Sequence, residues 1–386
     1  MKAVILAAGE GRRLEPLTDV RPKPMLPVAN KPLLEHVLEA VVDAGVEEVV
    51  LVIGYKRERI QDHFGDGDDW GIDIEYVVQE KQLGTGHAIL QVESAIEGPF
   101  LVLNGDRIIE TEIVREGLDA PTTDEMRVVV TRSDQPSEYG VVQLDGERVE
   151  SITEKPRAHA AASQIINAGI YRFDPSMFDA IRATEVDGEL AVTDTLQGLV
   201  ERDRVLAVHY DGPWLDVSYL WDYLEVNAAV LDRYESTRSP PASPGEGGVV
   251  SEAVAVGPGT TVLPNATVLR GTALGANVRV GPNAVLSNCI VLPDATVGAG
   301  AVLQDCIVGE NAVIGPNSTV EGGPATVQAE GQVFEGVRLG GVIGDNASLG
   351  GDVTVSPGAT VGTGATAEAG SWLRGRLPSG ADVRRG

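Results

Sequence analysis

The sequence predicts an α/β, Rossmann-like domain with a mixed, mainly parallel sheet, followed by a left-handed parallel β-helix of hexapeptide repeats. Three observations predict it. Up to residue 103, short β-branched runs alternate with amphipathic stretches, an order that favours parallel strands covered by helices. The stretch Ser236–Gly248, STRSPPASPGEGG, has the composition of a linker. Beyond it, apolar residues recur at every sixth position between Gly, Pro and Asn corners. The expected boundaries are 1–235 for the first domain, 236–248 for the linker and 249–386 for the repeats.

Taken in order, Ala3–Leu6 is apolar and short enough to be a buried strand. A glycine loop and a Pro/Thr-rich turn follow, and Asn30 with Pro32 reads as a capped helix entry. Leu33–Ala44 is expected as an amphipathic helix ending at Gly45, Glu48–Ile53 as a strand, Lys56–His63 as a helix and Ile72–Val78 as a strand. Gly84–Gln91 begins a further helix, and the apolar strand Phe100–Leu103 stops at Asn104-Gly105-Asp106. From Met126 to about Phe173 strands joined by turns are expected; helical pattern returns near Val192–Val200 and Tyr219–Leu231. The six-residue series then runs Val256, Val262, Val268, Leu274, Val280, Leu286 and Leu292, slips by one to Val297 and Leu303, and slips again to Val308, Ile314 and Val320. It breaks between Glu321 and Gly341, read as a loop projecting from one coil, and resumes at Ile343, Leu349, Val355 and Val361.

Composition narrows the function. A length of 386 residues exceeds one typical core. Aromatics make up only 4% against 46 glycines, which suits thin layers of small residues. No apolar run approaches the length of a membrane span, and the first one leads into Gly-Glu-Gly-Arg-Arg rather than a cleavage site, so a cytoplasmic protein is expected. The formal charge of −27 disfavours binding to nucleic acid or an anionic membrane. About −23 of it lies on the first 250 residues, and lysine is scarce beside arginine. An acidic, arginine-rich surface of this kind leads to the hypothesis of a high-salt cytoplasm, which an activity optimum in dilute buffer would contradict. Cys289 and Cys306, each in an Asn/Asp-Cys-Ile-Val context, are expected as buried reduced thiols, and with no histidine near them they form no zinc site.

A strand feeding Ala7, Ala8, Gly9 and Gly11 lets backbone N–H groups approach anionic oxygens that a Cβ would block. Arg12 or Arg13 and Lys23 add mobile positive charge beside that loop. Together these point to phosphate.

The whole stretch is more specific. Leu6-Ala7-Ala8-Gly9-x-Gly11-x-Arg13-Leu14-x-Pro16-Leu17-Thr18, then Arg21-Pro22-Lys23-Pro24-Met25-Leu26-Pro27-Val28, resembles the signature of the sugar-1-phosphate nucleotidylyltransferases. The resemblance implies that the loop, with Leu6, Ala8, Gly9 and Gly11, cradles the triphosphate of UTP or dTTP, and that Arg13 and Lys23 neutralise the α-phosphate and the departing pyrophosphate. Gln79-Glu80-Lys81-Gln82-Leu83-Gly84-Thr85-Gly86-His87 resembles the base-binding segment of the UDP-N-acetylglucosamine pyrophosphorylase branch. Gln79, Gly84 and Thr85 would then lie at the nucleotide, while His87 is read as packing or capping. Tyr139-Gly140, Glu154-Lys155-Pro156 and Asn167-Ala168-Gly169 resemble the segments that hold the sugar phosphate, which implies roles for Gly140, Glu154, Lys155 and Asn167. Glu189 and Thr193-Asp194 match a weaker substrate-side motif, and a helix cap explains them equally well. Asp106 and Asp216 resemble the family's carboxylates for Mg²⁺.

The implied reaction is in-line attack of a sugar-1-phosphate oxygen on the α-phosphorus, with no general base required. Solenoids of this kind commonly trimerise in the families resembled, so a homo-oligomer is expected. Fused solenoids can also acetylate amino-sugar phosphates, a reaction in which a histidine is the usual base. All five histidines, His36, His63, His87, His159 and His209, precede the repeats, and every lysine does too. A structural solenoid is therefore the main expectation, with acetyl transfer second. A non-catalytic regulatory subunit of the same layout is a third reading; Arg13, Lys23, Asp106 and Asp216 are all present, which favours an enzyme.

Overall fold

A computed structural model of the chain describes residues 1–119, 126–157, 163–185, 188–202, 204–235 and 247–384. Most of the expected linker, 236–246, lies outside the described residues. The chain groups into two compact units that do not follow chain order. One comprises Met1–Glu10 with Leu33–Leu215, the other Gly11–Pro32 with Asp216–Gly386.

The first unit is built on a nine-stranded mixed sheet. From one edge its order is Asp73–Val78, Glu48–Ile53, Lys2–Ala7, Phe100–Asn104, Ile165–Phe173, Met126–Arg132, Val205–His209, Arg148–Glu154 and Gly140–Asp145. The first four run parallel, as the alternation of strand and helix requires. Ile165–Phe173 reverses direction against both of its neighbours, and the sheet is mixed from there on. Lys2–Ala7 occupies the middle of the parallel part and reads as an unbroken apolar run because both its faces are covered; Ala3, Val4 and Ile5 are fully buried. Leu6 lies opposite Asn104, so the glycine loop and the Asn104-Gly105-Asp106 turn leave adjacent strands at the same end. Gly105 N donates to Leu6 O at 2.9 Å and ties the two exits together.

The second unit is a parallel β-helix of three seven-stranded sheets, most strands being two residues long. One column of inward residues runs Val256, Leu274, Val291, Val308, Ile343, Val361 and Leu377 in register. Burial of each such Val or Leu stabilises the stack by about 1.5–3 kcal/mol. The inward residue of the seventh expected position is Val291 rather than Leu292. The first slip therefore falls one step earlier, at Asn288-Cys289, and the second at Asp305-Cys306. At both places the corner residue has positive φ and the cysteine turns inward, fully buried. The thiols are free, with Cys306 Sγ 3.5 Å from Cys289 Sγ. Elsewhere asparagine takes the left-handed corner, as at Asn277, Asn283 and Asn317 (φ 56–57°). Gly298 stacks over the next coil so closely that a Cβ would lie 2.6 Å from the carbonyl carbon of Gly315.

Two further features differ from the sequence reading. The break at 321–341 is an antiparallel hairpin, Pro324–Ala329 with Gln332–Arg338, turning at Glu330-Gly331. Both turn residues have positive φ, 49° and 78°, as a two-residue hairpin turn demands. Asp305 anchors its base, accepting from Gly323 N at 3.0 Å and Arg338 Nε at 2.9 Å. Asn30 is not a helix cap. With Ala29 it forms the turn of a small hairpin, Pro27–Val28 with Lys31–Pro32, and its Nδ2 donates to Leu274 O at 2.7 Å. That turn is also held by Asn227, fully buried on the helix Leu220–Glu235, which accepts from Ala29 N and donates to Gly271 O. Among the described residues no helix is long and apolar enough to cross a membrane.

Candidate active site

In the first unit, groups of expected residues lie at the ends of strands of one sheet. Ala8 O accepts from Gln82 Nε2 at 3.1 Å, which ties the glycine loop to the base-binding segment. A Cβ on Gly9 would meet nothing within 4 Å, so protein packing does not require that glycine, and its side of the loop is open to a ligand. Gly84 is required by packing: at φ 102° its Cβ would lie 2.3 Å from Leu190 O. Thr85 Oγ1 accepts from Val192 N at 2.9 Å and starts the helix Val192–Val200. Gln79 is buried, and its Nε2 donates to Gly84 O at 3.3 Å and to His87 Nδ1 at 2.9 Å. Gln79, Gly84 and Thr85 thus shape this segment, and His87 is a packing residue clasped between Gln79 and Gln91.

The sugar-side residues are brought together. Gly140 pairs with Glu154, and a Cβ on Gly140 would stand 3.2 Å from Glu154 Oε2, 3.1 Å from Thr193 and 3.5 Å from Asn167. Thr193 Oγ1 donates to Glu154 Oε2 at 3.0 Å, so Thr193 serves the carboxylate, while Asp194 caps the helix through Ala191 N. Lys155 is exposed just beyond the strand, and its N–H donates to Tyr139 O at 3.0 Å. Asn167 makes two bonds within its own strand: Oδ1 accepts from Gly169 N and Nδ2 donates to the Tyr171 hydroxyl at 2.6 Å. Burial pushes that hydroxyl's pKa up, so it stays protonated. The strand bulges between Asn167 and Tyr171, and Gly169 packs on Asn104.

Asp106 follows Asn104-Gly105 and is partly buried, with Arg107 Nη1 3.6 Å from its Oδ1. Arg107 was not legible as a functional residue in the sequence. Its guanidinium lies 5.2 Å from the Trp214 ring and 5.9 Å from the Tyr139 ring, and Trp214 Nε1 donates to Ala168 O at 2.9 Å. Asp106, Tyr139-Gly140 and Asn167–Gly169 therefore meet around one arginine and one tryptophan. Only the Trp214-Leu215-Asp216 run hinted at this, through its aspartate.

The second unit holds Gly11, Arg13, Lys23 and Asp216. Gly11 has φ 76°, and a Cβ there would lie 2.7 Å from Lys23 Cβ, so glycine allows the two ends of the signature stretch to touch. Lys23 Nζ is 3.8 Å from Asp216 Oδ1, and Asp216 Oδ2 accepts from Ser218 Oγ at 2.5 Å. Asp222 accepts from the N–H groups of Ser218 and Tyr219, and burial raises its carboxyl pKa to about 6. Arg13 Nε and Nη2 both lie 2.6 Å from Glu330 Oε2, with the guanidinium 5.1 Å from the Tyr219 ring. Arg21, quoted in the signature without a role, is buried; it donates to Leu17 O and pairs with Glu310 at 2.7 Å and Asp345 at 3.1 Å. Asp106 belongs to one unit and Asp216 to the other. Among the described residues no three His, Cys, Asp or Glu side chains gather as a metal site. Asp106 and Asp216 each offer a hard carboxylate of the kind Mg²⁺ takes, an ion that commonly binds one or two protein carboxylates and completes its octahedron with water and substrate phosphate.

A glycine loop at the carboxyl end of a central parallel strand, with a carboxylate on the neighbouring exit, lies where open α/β sheets bind their ligands. Residues 2–233 match the family model described as nucleotidyl transferase, and residues 250–341 match one described as the GMPPB C-terminal domain. The chain belongs to the nucleotidyl transferase family, and it is an enzyme of the sugar-1-phosphate nucleotidyltransferase class. It is 35% identical over 393 residues to a bifunctional protein GlmU of Methanococcus maripaludis, covering 94% of this chain and 92% of that one. It is 33% identical to a glucose-1-phosphate thymidylyltransferase of Streptomyces antibioticus, over 74% of this chain and 81% of the relative. Among solved structures, a UDP-glucose pyrophosphorylase complexed with UDP-glucose superposes with a TM-score of 0.56 at 26% identity, covering 60% of this chain and 98% of that one.

Proposed function

We propose that the enzyme transfers a nucleotidyl group from UTP or dTTP to a sugar-1-phosphate of the glucose or N-acetylglucosamine type, releasing pyrophosphate. The observation that carries this reading is the sugar-side cluster, where a Cβ on Gly140 would press on Thr193 and Glu154 at 3.1 and 3.2 Å and an exposed lysine follows the carboxylate at once. A hydroxyl-rich ring can meet Glu154, and Lys155 supplies the cation for the phosphate at its end. Arg13 and Lys23 meet the α-phosphate and the leaving pyrophosphate. Asp106 and Asp216 are the residues that would hold Mg²⁺, which when bound offsets charge on the phosphate oxygens. An oxygen of the sugar phosphate forms the new bond to the α-phosphorus as the bond to the β-phosphate's bridging oxygen breaks. The attacking phosphate is already ionised, so positioning and charge neutralisation suffice.

Assays of pyrophosphate release with Mg²⁺, pairing UTP, dTTP, ATP and GTP with several sugar-1-phosphates, test this directly, at both low and high salt. Turnover with one pyrimidine nucleotide, abolished by Asp106→Asn, is expected. Turnover with a purine nucleotide alone would overturn the assignment of the base, and silence across the panel would favour the regulatory-subunit reading. Acetyl transfer is the second reading, favoured by the 92% coverage of a relative named bifunctional. An acetyl-CoA and glucosamine-1-phosphate assay decides it. We assign the β-helix a role in homo-oligomer formation, with a trimer expected by light scattering.

A further inference from the structure

We propose that Glu330, at the tip of the hairpin inserted in the β-helix, is a positioning residue of the nucleotide site. It holds Arg13 on the hairpin until an incoming triphosphate takes the guanidinium, and so sets the affinity for the nucleotide. The proposal rests on the reading of Arg13 as a triphosphate ligand.

Several observations within the second unit converge on it. The hairpin interrupts an otherwise regular stack, and its two-residue turn puts Glu330 at the apex. Two nitrogens of Arg13 lie 2.6 Å from one carboxylate oxygen of Glu330, across 317 residues of sequence. Phe334 on the returning strand packs against Tyr219 at 4.9 Å and Trp221 at 5.0 Å, and those two rings stack on each other at 4.5 Å. Arg13 in turn lies over Tyr219. An aromatic clasp thus holds the arm, and the carboxylate at its tip meets the signature arginine.

The electrostatics make this contact exclusive. A triphosphate oxygen cannot share the Nε/Nη2 edge of Arg13 with Glu330, because two anions would then face each other across one cation. The side chains of Arg13 and Glu330 are 26% and 52% exposed, and a pair this open to water is weak enough for a multiply charged phosphate to displace. Arg21, in its buried pair, has no such freedom.

The test is calorimetric binding of UTP and dTTP with Mg²⁺ to the full chain, alongside steady-state kinetics, for wild type, Glu330→Gln, Arg13→Ala and the double variant. Glu330→Gln is expected to tighten nucleotide binding by about two- to fivefold, with KM falling more than kcat changes. In the Arg13→Ala background the same change is expected to do nothing, since Glu330 acts through the arginine. Phe334→Ala, which loosens the clasp without altering charge, is expected to move affinity in the same direction as Glu330→Gln. Unchanged or weaker binding in Glu330→Gln would overturn the proposal, as would equal tightening with and without Arg13. If Arg13→Ala alone binds nucleotide as wild type does, the reading of Arg13 itself has failed, a result distinct from either.

Discussion

The repeat region receives the signature stretch in two opposite ways. Its stacked coils bury Arg21 against Asp345 and Glu310, whereas its hairpin meets Arg13 with a carboxylate that water still reaches. The two arginines are eight residues apart and make the same kind of ion pair. Burial separates their roles. A charge sunk in the coils cannot lose its partner without a large penalty, while one at an open hairpin tip can exchange partners. The first contact is architecture and the second is available to function.

The largest effect expected from this contrast is on stability. Asp345→Ala should cost about 3–5 kcal/mol, because it takes a buried carboxylate away from a buried guanidinium. Glu330→Gln should change stability by less than about 1 kcal/mol. Chemical denaturation of both variants measures the difference, and similar losses would mean that the hairpin contact is structural after all. Desolvation holds the Asp345 carboxyl above its ordinary range despite Arg21, the mark of a pair that burial makes costly to form.

A smaller contrast runs between the coil interior and the hairpin surface. Leu303 is fully buried, and Leu303→Ala should cost about 2–5 kcal/mol. Val333 is 63% exposed on the hairpin, and Val333→Ala should stay within about 0.5 kcal/mol. A large loss at Val333 would show that the hairpin is covered in solution.

This same division governs what could be read from the sequence. The coils were legible because every turn of the solenoid repeats the same demand, an inward aliphatic and a left-handed corner, so the pattern repeats with the structure. Even the slips were visible, although Val291 and Leu292 are adjacent aliphatics and only the register of Leu274 on Val291 chooses between them. The hairpin could be located only as a loss of period, because an exposed ribbon places no repeating demand on its side chains. The candidate site was legible as residue types through its resemblance to a family. What those residues do locally was not. Gly84 answers to Leu190 and Thr85 to Val192, contacts more than 100 residues away that spacing does not encode. Asn30 carried a cap residue's identity but is drawn into a hairpin turn by Asn227 and Leu274. Arg107 and Glu330 had no local pattern to announce them.

A further effect expected is a pH dependence at the helix that follows Asp216. Asp222 is largely buried where it caps that helix, and its folded pKa of about 6 lies above its ordinary value of 3.8. Desolvation is the main cause, and the bonds from the N–H groups of Tyr219 and Ser218 only partly offset it. The sign follows from linkage. Between these two values the folded chain holds a proton that the unfolded chain has released, so this residue favours folding more as pH falls from 7 towards 4. Above pH 6 the buried charge is a standing penalty. Asp222→Asn keeps an acceptor for the two N–H groups and removes the ionisation. It should be at least as stable as wild type at pH 7.5, with its advantage shrinking as the pH is lowered through 6. Denaturation curves at several pH values that run parallel for the two proteins would mean that water solvates the Asp222 carboxylate, and that this end of the helix is as open as the hairpin tip.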